Sequence, residues 1–320
     1  MSIKVFLQVV EIRTKLASFF PFAVGVLFSL AYFQQFHLGY TLLFLIGMLT
    51  FDMATTAINN YMDFRKAKSD TYKYHENIIG TSGIEPSLVR TMIFIMIAIA
   101  AAIGFFLSIK TGWLFLVMGG ICCFIGIFYT FGPIPLSRMP LGEVFSGFTM
   151  GLGIFVMTIY LNVLNNPPFY LFLNLRTGNF SLTGNFWLVL TIVWASLPLV
   201  FTIANIMLAN NLRDLDTDIK NHRYTLVYYI GRKQGIALFQ LLMLACYFVI
   251  LFGLVVGIYQ WPILLVTVSF PAVWKNIQAF KKEVPQPQSF GYSIKNLLLF
   301  NGSYLLGLLG TIIIEYIKRK

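Results

Sequence analysis

Long apolar runs separated by short polar segments set the pattern of this chain. Runs close to the ~17–25 residues that cross a bilayer as a helix fall near 17–36, 41–62, 88–109, 113–131, 143–164, 187–210, 234–258, 260–275 and 297–317. This predicts an all-α, polytopic membrane protein, a bundle of nine transmembrane helices around a central polar cavity. The whole of 1–320 reads as one domain with no separate soluble part. The narrowest division is Tyr259-Gln260-Trp261-Pro262, which leaves room only for a tight hairpin. A re-entrant 260–275 would give eight spans instead. Residues 165–186 form the longest loop on the outer side. The first apolar run lacks a small-x-small cleavage site and is expected to stay as the first helix.

Composition agrees with the pattern. Hydrophobic residues make up 58% of the chain and charged residues only 11%, against about 25% charged in soluble domains. The ten-residue alternation of an outer-membrane barrel is absent. Cys122, Cys123 and Cys246 lie in apolar runs and read as small core residues. His37, His75 and His222 have no ligand spacing for a haem or zinc.

A net charge of +11 raises the question of nucleic acid, but its distribution answers it. With the N-terminus inside, 18 of the 23 Lys and Arg residues fall on inner segments. This is the positive-inside bias of a membrane protein, and no nucleic-acid partner is expected. The bias predicts a multi-pass protein of the cell (plasma) membrane with a cytoplasmic N-terminus. The basic C-terminus Lys318-Arg319-Lys320 is the one misfit.

The acids are few and clustered. Five of the 12 acidic residues lie in two stretches, one running from Asn59 to Asp70 and one from Asn210 to Asp218. Both open with Asn-Asn-x-x-Asp, and both end an even-numbered span on the inner side. A carboxylate in a bilayer helix costs about 2.5–3.5 kcal/mol on insertion scales, so acids placed here point to function. Residues four apart share a helix face. Asn59 therefore stacks with Asp63, and Asn210 with Asp214 and Asp218. Asn60 and Asn211 fall near the same faces, Asp216 points elsewhere, and Asp70 joins Asp63 only if the helix continues. Oxygen ligands of this kind suit Mg²⁺, which uses one or two carboxylates plus substrate phosphates. Lys68, Lys73, Arg213 and Arg223 suit phosphate oxygens. Metal sites of this chemistry also occur in secondary transporters, although those lie near the bilayer midplane.

The paired motifs resemble those of the UbiA superfamily of intramembrane aromatic prenyltransferases. The stretch from Asn210 to Asp218, followed by Arg223, Thr225 and Leu226, is similar to the subgroup acting on 1,4-dihydroxy-2-naphthoate (the MenA type). So are the long Asp63-to-Asp70 spacing, the segment from Tyr129 to Leu136 followed by Leu141-Gly142-Glu143, and Arg13-Thr14-Lys15-Leu16-Ala17-Ser18. The chain departs from the family pattern at Asn60, where an Asp is usual, and at Gly80-Thr81-Ser82-Gly83-Ile84-Glu85-Pro86.

The resemblance implies Mg²⁺-dependent transfer from a polyprenyl diphosphate to the naphthoate, with loss of CO₂ and diphosphate. Asp63, Asp214 and Asp218 would be catalytic. Asn59, Asp63, Asp70, Asn210, Asp214 and Asp218 would hold metal, and Lys68, Lys73, Arg213 and Arg223 the diphosphate. Asn60, Tyr61, Tyr129, Glu143, Arg138 and Arg13 are candidates for holding the acceptor or an allylic cation, with Lys15 a further cation for an acidic acceptor. A different aromatic acceptor, such as 4-hydroxybenzoate, is the alternative within the class. Asp52, in mid-span and on the Asn59 face, belongs to neither motif and reads as a structural acid or an extension of the cavity.

Overall fold

The computed structural model describes residues 2–320 apart from 68, 69, 71, 130–134 and 221, and apart from the side chains of residues 72 and 76. Among the described residues, nine main helices follow in chain order: α1 (Ile12–Phe33), α2 (Leu38–Lys66), α3 (Pro86–Thr111), α4 (Trp113–Phe128), α5 (Gly142–Asn162), α6 (Phe186–Lys220), α7 (Leu226–Val255), α8 (Trp261–Glu283) and α9 (Pro287–Arg319). Among the described residues, eight of them are long and apolar enough to cross a membrane. The exception is α4, with 16 residues. At ~1.5 Å per residue it reaches about 24 Å, short of a ~30 Å hydrocarbon core. The protein is thus a multi-pass helical membrane protein, with α4 an apolar helix below spanning length.

The doubtful division before α8 is made by one residue. Gly257 takes φ +81°, a left-handed conformation that costs glycine little. It lets Ile258 N–H reach back to the Gly253 carbonyl at 2.8 Å, closing α7 and reversing the chain. α8 begins as a 3₁₀ segment, Trp261–Ser269, and continues as α-helix, Phe270–Glu283. A 3₁₀ turn rises ~2 Å per residue, so the 23 residues extend about 39 Å, long enough for a full crossing.

Both motif-bearing helices are long. α6 has 35 residues and α2 has 29, about 52 Å and 44 Å, each longer than a ~30 Å hydrocarbon core, and their C-terminal ends share the influence of Arg138 and Arg223. At this active end the α4–α5, α6–α7 and α8–α9 connections gather. Arg223 of the α6–α7 connection donates to the Ser137 carbonyl at 3.4 Å, and the Arg213 guanidinium lies 5.1 Å from the Phe290 ring centroid. The opposite end is tied by Asn162 Oδ1, which accepts from His37 N–H at 2.8 Å and Thr41 Oγ1 at 2.9 Å. Residues 165–186, expected as a loop, contain a β-hairpin there, β1 (Phe169–Leu173) against β2 (Phe180–Gly184), with Tyr170 opposite Thr183. Its turn is set by Asn174, whose side chain accepts from Arg176 and Thr177 N–H.

Polar side chains join the buried helices where no water is available, as expected in a membrane interior. Tyr304 OH bonds Tyr259 OH at 2.8 Å and donates to the Ala195 carbonyl at 3.1 Å. Asn205 donates to the Phe239 carbonyl at 2.9 Å, joining α6 to α7. α5 approaches α6 closely. Gly147 and Gly151 sit four apart in a π-helical stretch of α5, and a Cβ on Gly151 would lie 2.6 Å from the Val200 backbone nitrogen. This small-xxx-small pair sets the position of α6, and with it the second acidic motif.

Gly151→Ala should therefore force α6 outward and destabilise the protein by about 1–3 kcal/mol. Gly104→Ala, into open space, should not. Thermal unfolding in detergent checks this, and equal melting temperatures for the two variants would contradict the close-contact account.

Candidate active site

The inner faces of α1 to α6, with Phe290 of α9, enclose a cavity of about 830 Å³. Its body is apolar, with Phe44, Met48, Phe115, Met157, Ile203 and Met207 among the walls. Small residues of α3 and α4, including Ala100, Gly104, Gly119 and Gly120, widen it on one side; Gly104 and Gly120 have open space beside them. Polar groups form two patches. One is at the active end, with Asn59, Asn210 and Tyr129; the other lies on α1 and α2, with Lys15, Ser18, Asp52 and Thr56. The cavity is amphipathic rather than polar throughout, because a helix interior can hold few unpaired polar groups.

The two acidic motifs converge. Asn59 of α2 and Asn210 of α6 line this one cavity, although they are 151 positions apart in the sequence. Arg138 and Arg223 act electrostatically on both Asp63 and Asp218. Arg223 Nη1 lies 3.4 Å from Asp218 Oδ1. Asp218 is buried, and its Oδ2 has no hydrogen-bond partner among the described residues.

Asp214 is engaged differently. Arg213 grips it through two bonds, Nε to Oδ1 at 2.7 Å and Nη2 to Oδ2 at 2.6 Å, and also donates to Asn210 Oδ1 at 2.7 Å. Two of the expected metal ligands are thus held by an expected diphosphate ligand. Either a cation or a diphosphate arriving here competes for the same bonds. Asp216 lies off this face and pairs with Arg232 at 3.0 Å.

Several expectations change. α2 ends at Lys66, and Ala67 leaves the helical region at ψ 126°. Asp70 is therefore not carried on the Asp63 face, and it is exposed. Lys68 lies outside the described residues. Lys73 rests over the Phe64 ring, 5.0 Å from its centroid. Asn60 turns from Asn59 toward the N-terminal segment, donating to the Val9 carbonyl at 2.9 Å and to Glu11 Oε1 at 3.4 Å. Its amide ties helices together. Tyr61 packs beside Ala57, Phe64 and Ile79, away from the cavity. Arg13 is exposed and is not among the cavity-lining residues.

Glu143, in the first turn of α5, is buried and accepts from Asn211 Nδ2 at 2.8 Å. It positions α6, and Asn211 is spent on that bond rather than facing the cavity. Tyr129 does line the cavity. Desolvation and the neighbouring Glu143 carboxylate push its hydroxyl above the ordinary phenol range, so the ring stays neutral. Lys15, expected to offer a cation to an acidic acceptor, spends its protons elsewhere: its Nζ reaches Asp52 Oδ1 at 2.7 Å, Thr56 Oγ1 at 2.6 Å and the Asp52 carbonyl at 3.1 Å. The sequence signal for this second patch was the mid-span Asp52 itself.

Among the described residues, no three His, Cys, Asp or Glu side chains form a ready-made metal cage. The donors still fit a hard divalent cation. Mg²⁺ retains waters and takes one or two carboxylates along with substrate phosphates, and Asp63, Asp218 with its unpartnered oxygen, and the amide oxygen of Asn59 are donors of that kind.

Comparison with known proteins bears on this geometry. The chain is 26% identical over 275 residues to a 1,4-dihydroxy-2-naphthoate octaprenyltransferase of Bacillus subtilis (strain 168), covering 86% of this chain and 80% of the relative. Its fold is similar to that of a UbiA homologue from Aeropyrum pernix K1, with TM-score 0.64, 15% identity, and coverage of 95% of this chain and 98% of the other. A UbiA homologue from Archaeoglobus fulgidus bound to GPP and Mg²⁺ has TM-score 0.61, 12% identity, and coverage of 96% and 99%. The model of the UbiA prenyltransferase family matches residues 18–294. A chain matched over that length, whose two motif-bearing helices line one mainly apolar cavity through Asn59 and Asn210, belongs to the UbiA prenyltransferase family, and it is a transferase rather than a transporter.

Proposed function

We propose that this protein transfers a polyprenyl group from a polyprenyl diphosphate to 1,4-dihydroxy-2-naphthoate, releasing diphosphate and CO₂, with Mg²⁺ as cofactor. The observation that carries the reading is the meeting of the two acidic motifs at one end of a mainly apolar cavity. The naphthoate is supported by the name of the Bacillus subtilis relative, and the metal by the GPP- and Mg²⁺-bound homologue. The protein acts as one domain across 1–320. The active end faces the cytoplasm at the plasma membrane, a side supported by the 18 of 23 basic residues that flank the apolar runs at that end.

The apolar cavity takes the prenyl chain, whose burial contributes about 0.8 kcal/mol per CH₂. Asn59, Asp63, Asn210, Asp214 and Asp218 would hold Mg²⁺, which supplies charge stabilisation for the departing diphosphate. Arg138, Arg223 and a released Arg213 add hydrogen bonds to its oxygens. The C1–O bond of the prenyl diphosphate breaks and its electron pair leaves on oxygen. The ring carbon bearing the carboxylate bonds to C1, and the electron pair of the C–CO₂ bond returns to the ring as CO₂ departs. The apolar walls keep water from the allylic cation, and the neutral face of Tyr129 stabilises it.

Incubating the purified protein with Mg²⁺, polyprenyl diphosphate and carboxyl-labelled naphthoate should release one labelled CO₂ per diphosphate. Absence of product with the naphthoate, or better turnover with 4-hydroxybenzoate, would refute the acceptor. Asp63→Asn and Asp218→Asn should each lower turnover by about 100-fold or more with melting unchanged. Unimpaired turnover in either would remove the motifs from the chemistry. Because Arg213 occupies Asp214 and Asn210, Arg213→Met should raise KM for the prenyl diphosphate while lowering the Mg²⁺ concentration for half-maximal rate. A Mg²⁺ requirement that rises instead would contradict the competition described above.

A further inference from the structure

We propose that Asp52, held beside the cavity by Lys15 and Ser18, is the site that takes up a hydroxyl group of the aromatic acceptor. The inference rests on the prenyl-transfer reading and adds the orientation of the second substrate. An ion pair in an apolar wall is a poor way to stabilise a helix contact, since desolvation offsets most of the attraction. Lys15 is 5% exposed and Asp52 faces the cavity. The pair is arranged asymmetrically. The three protons of Lys15 go to Asp52 Oδ1, the Asp52 carbonyl and Thr56 Oγ1, leaving no donor for a substrate anion. Asp52 Oδ2 accepts from Ser18 Oγ at 2.5 Å. A carboxylate accepts about four hydrogen bonds in all, so both oxygens retain capacity.

The surface offered to the cavity is therefore an anionic acceptor whose neighbouring cation has its donors already committed. It recognises a hydrogen-bond donor and repels a carboxylate. Asp52 lies seven residues from Asn59 on the same helix, about 10 Å deeper, which leaves space for an aromatic ring between this hydroxyl contact and the diphosphate end. The acceptor thus lies with a hydroxyl on Asp52 and its carboxyl-bearing carbon toward the prenyl C1. A hydroxyl that donates to a carboxylate passes electron density to the ring, favouring attack on the allylic cation.

The test is binding, so that it stands apart from turnover. The full-length protein in nanodiscs, with Mg²⁺ and an unreactive prenyl thiolodiphosphate, is titrated by calorimetry under reducing conditions with 1,4-dihydroxy-2-naphthoate and its dimethyl ether. 4-hydroxybenzoate and 4-methoxybenzoate form a second pair. In the wild type the hydroxyarene of at least one pair should bind about tenfold or more tighter than its ether. Asp52→Asn and Ser18→Ala should narrow that preference, with thiolodiphosphate affinity within about twofold of wild type. Wild-type protein with no preference in either pair overturns the assignment, as does a preference that survives Asp52→Asn. If Asp52→Asn does not fold, Ser18→Ala and the wild-type pairs decide. A hydroxyl preference without any transfer would refute the proposed reaction and leave this site standing.

Discussion

Asp63 and Asp218 sit in the last turns of α2 and α6, which end at Lys66 and Lys220. The C-terminal end of a helix carries a partial negative charge, so a carboxylate is disfavoured there. Two such ends brought to one cavity mouth repel each other and demand cations. Arg138 and Arg223 meet part of that demand by acting on both acids, and Arg213 meets another part by gripping Asp214. The rest of the active end follows from this charge balance. In the proposed reaction a magnesium–diphosphate complex would supply both what the acids lack, divalent cations, and what the arginines can bind, phosphate oxygens.

The bundle makes that convergence possible. Gly147 and Gly151 let α5 and α6 approach at backbone contact, Asn205 fixes α6 to α7, and Glu143 holds Asn211 from α5. Asn60 and Asn77 do the same for α2: Asn60 donates to the Val9 carbonyl, and Asn77 donates to the Asn60 carbonyl at 3.0 Å. The second Asn of each Asn-Asn pair is thus a positioning residue, while the first, Asn59 or Asn210, lines the cavity. Adjacent helical residues point about 100° apart, so one dipeptide serves two purposes.

Much of this was legible in the sequence. Apolar run length located each of these helices, because spanning length is fixed by the bilayer, but α6, α7, α8 and α9 each run about 8 to 10 residues beyond the expected run at one end. The i, i+4 spacing singled out Asn59, Asp63, Asn210, Asp214 and Asp218 as candidates, and of these Asn59 and Asn210 line the cavity. Features that depend on contacts between helices were not legible. Periodicity cannot tell that α2 stops at Lys66 before Asp70, that Tyr61 faces a neighbouring helix, or that Lys15 is spent on Asp52 rather than free for substrate. The hairpin at 169–184 was missed because its ten strand residues resemble an apolar loop.

The central claim is that α2 and α6 contribute to one site rather than two. A double-mutant cycle on the Mg²⁺-dependent affinity for a prenyl thiolodiphosphate, with Asp63→Asn and Asp218→Asn singly and together, tests it most directly. One shared site predicts strong coupling, with the double variant losing little more than either single one. Losses that simply multiply would mean that the two motifs act independently, and would contradict the account.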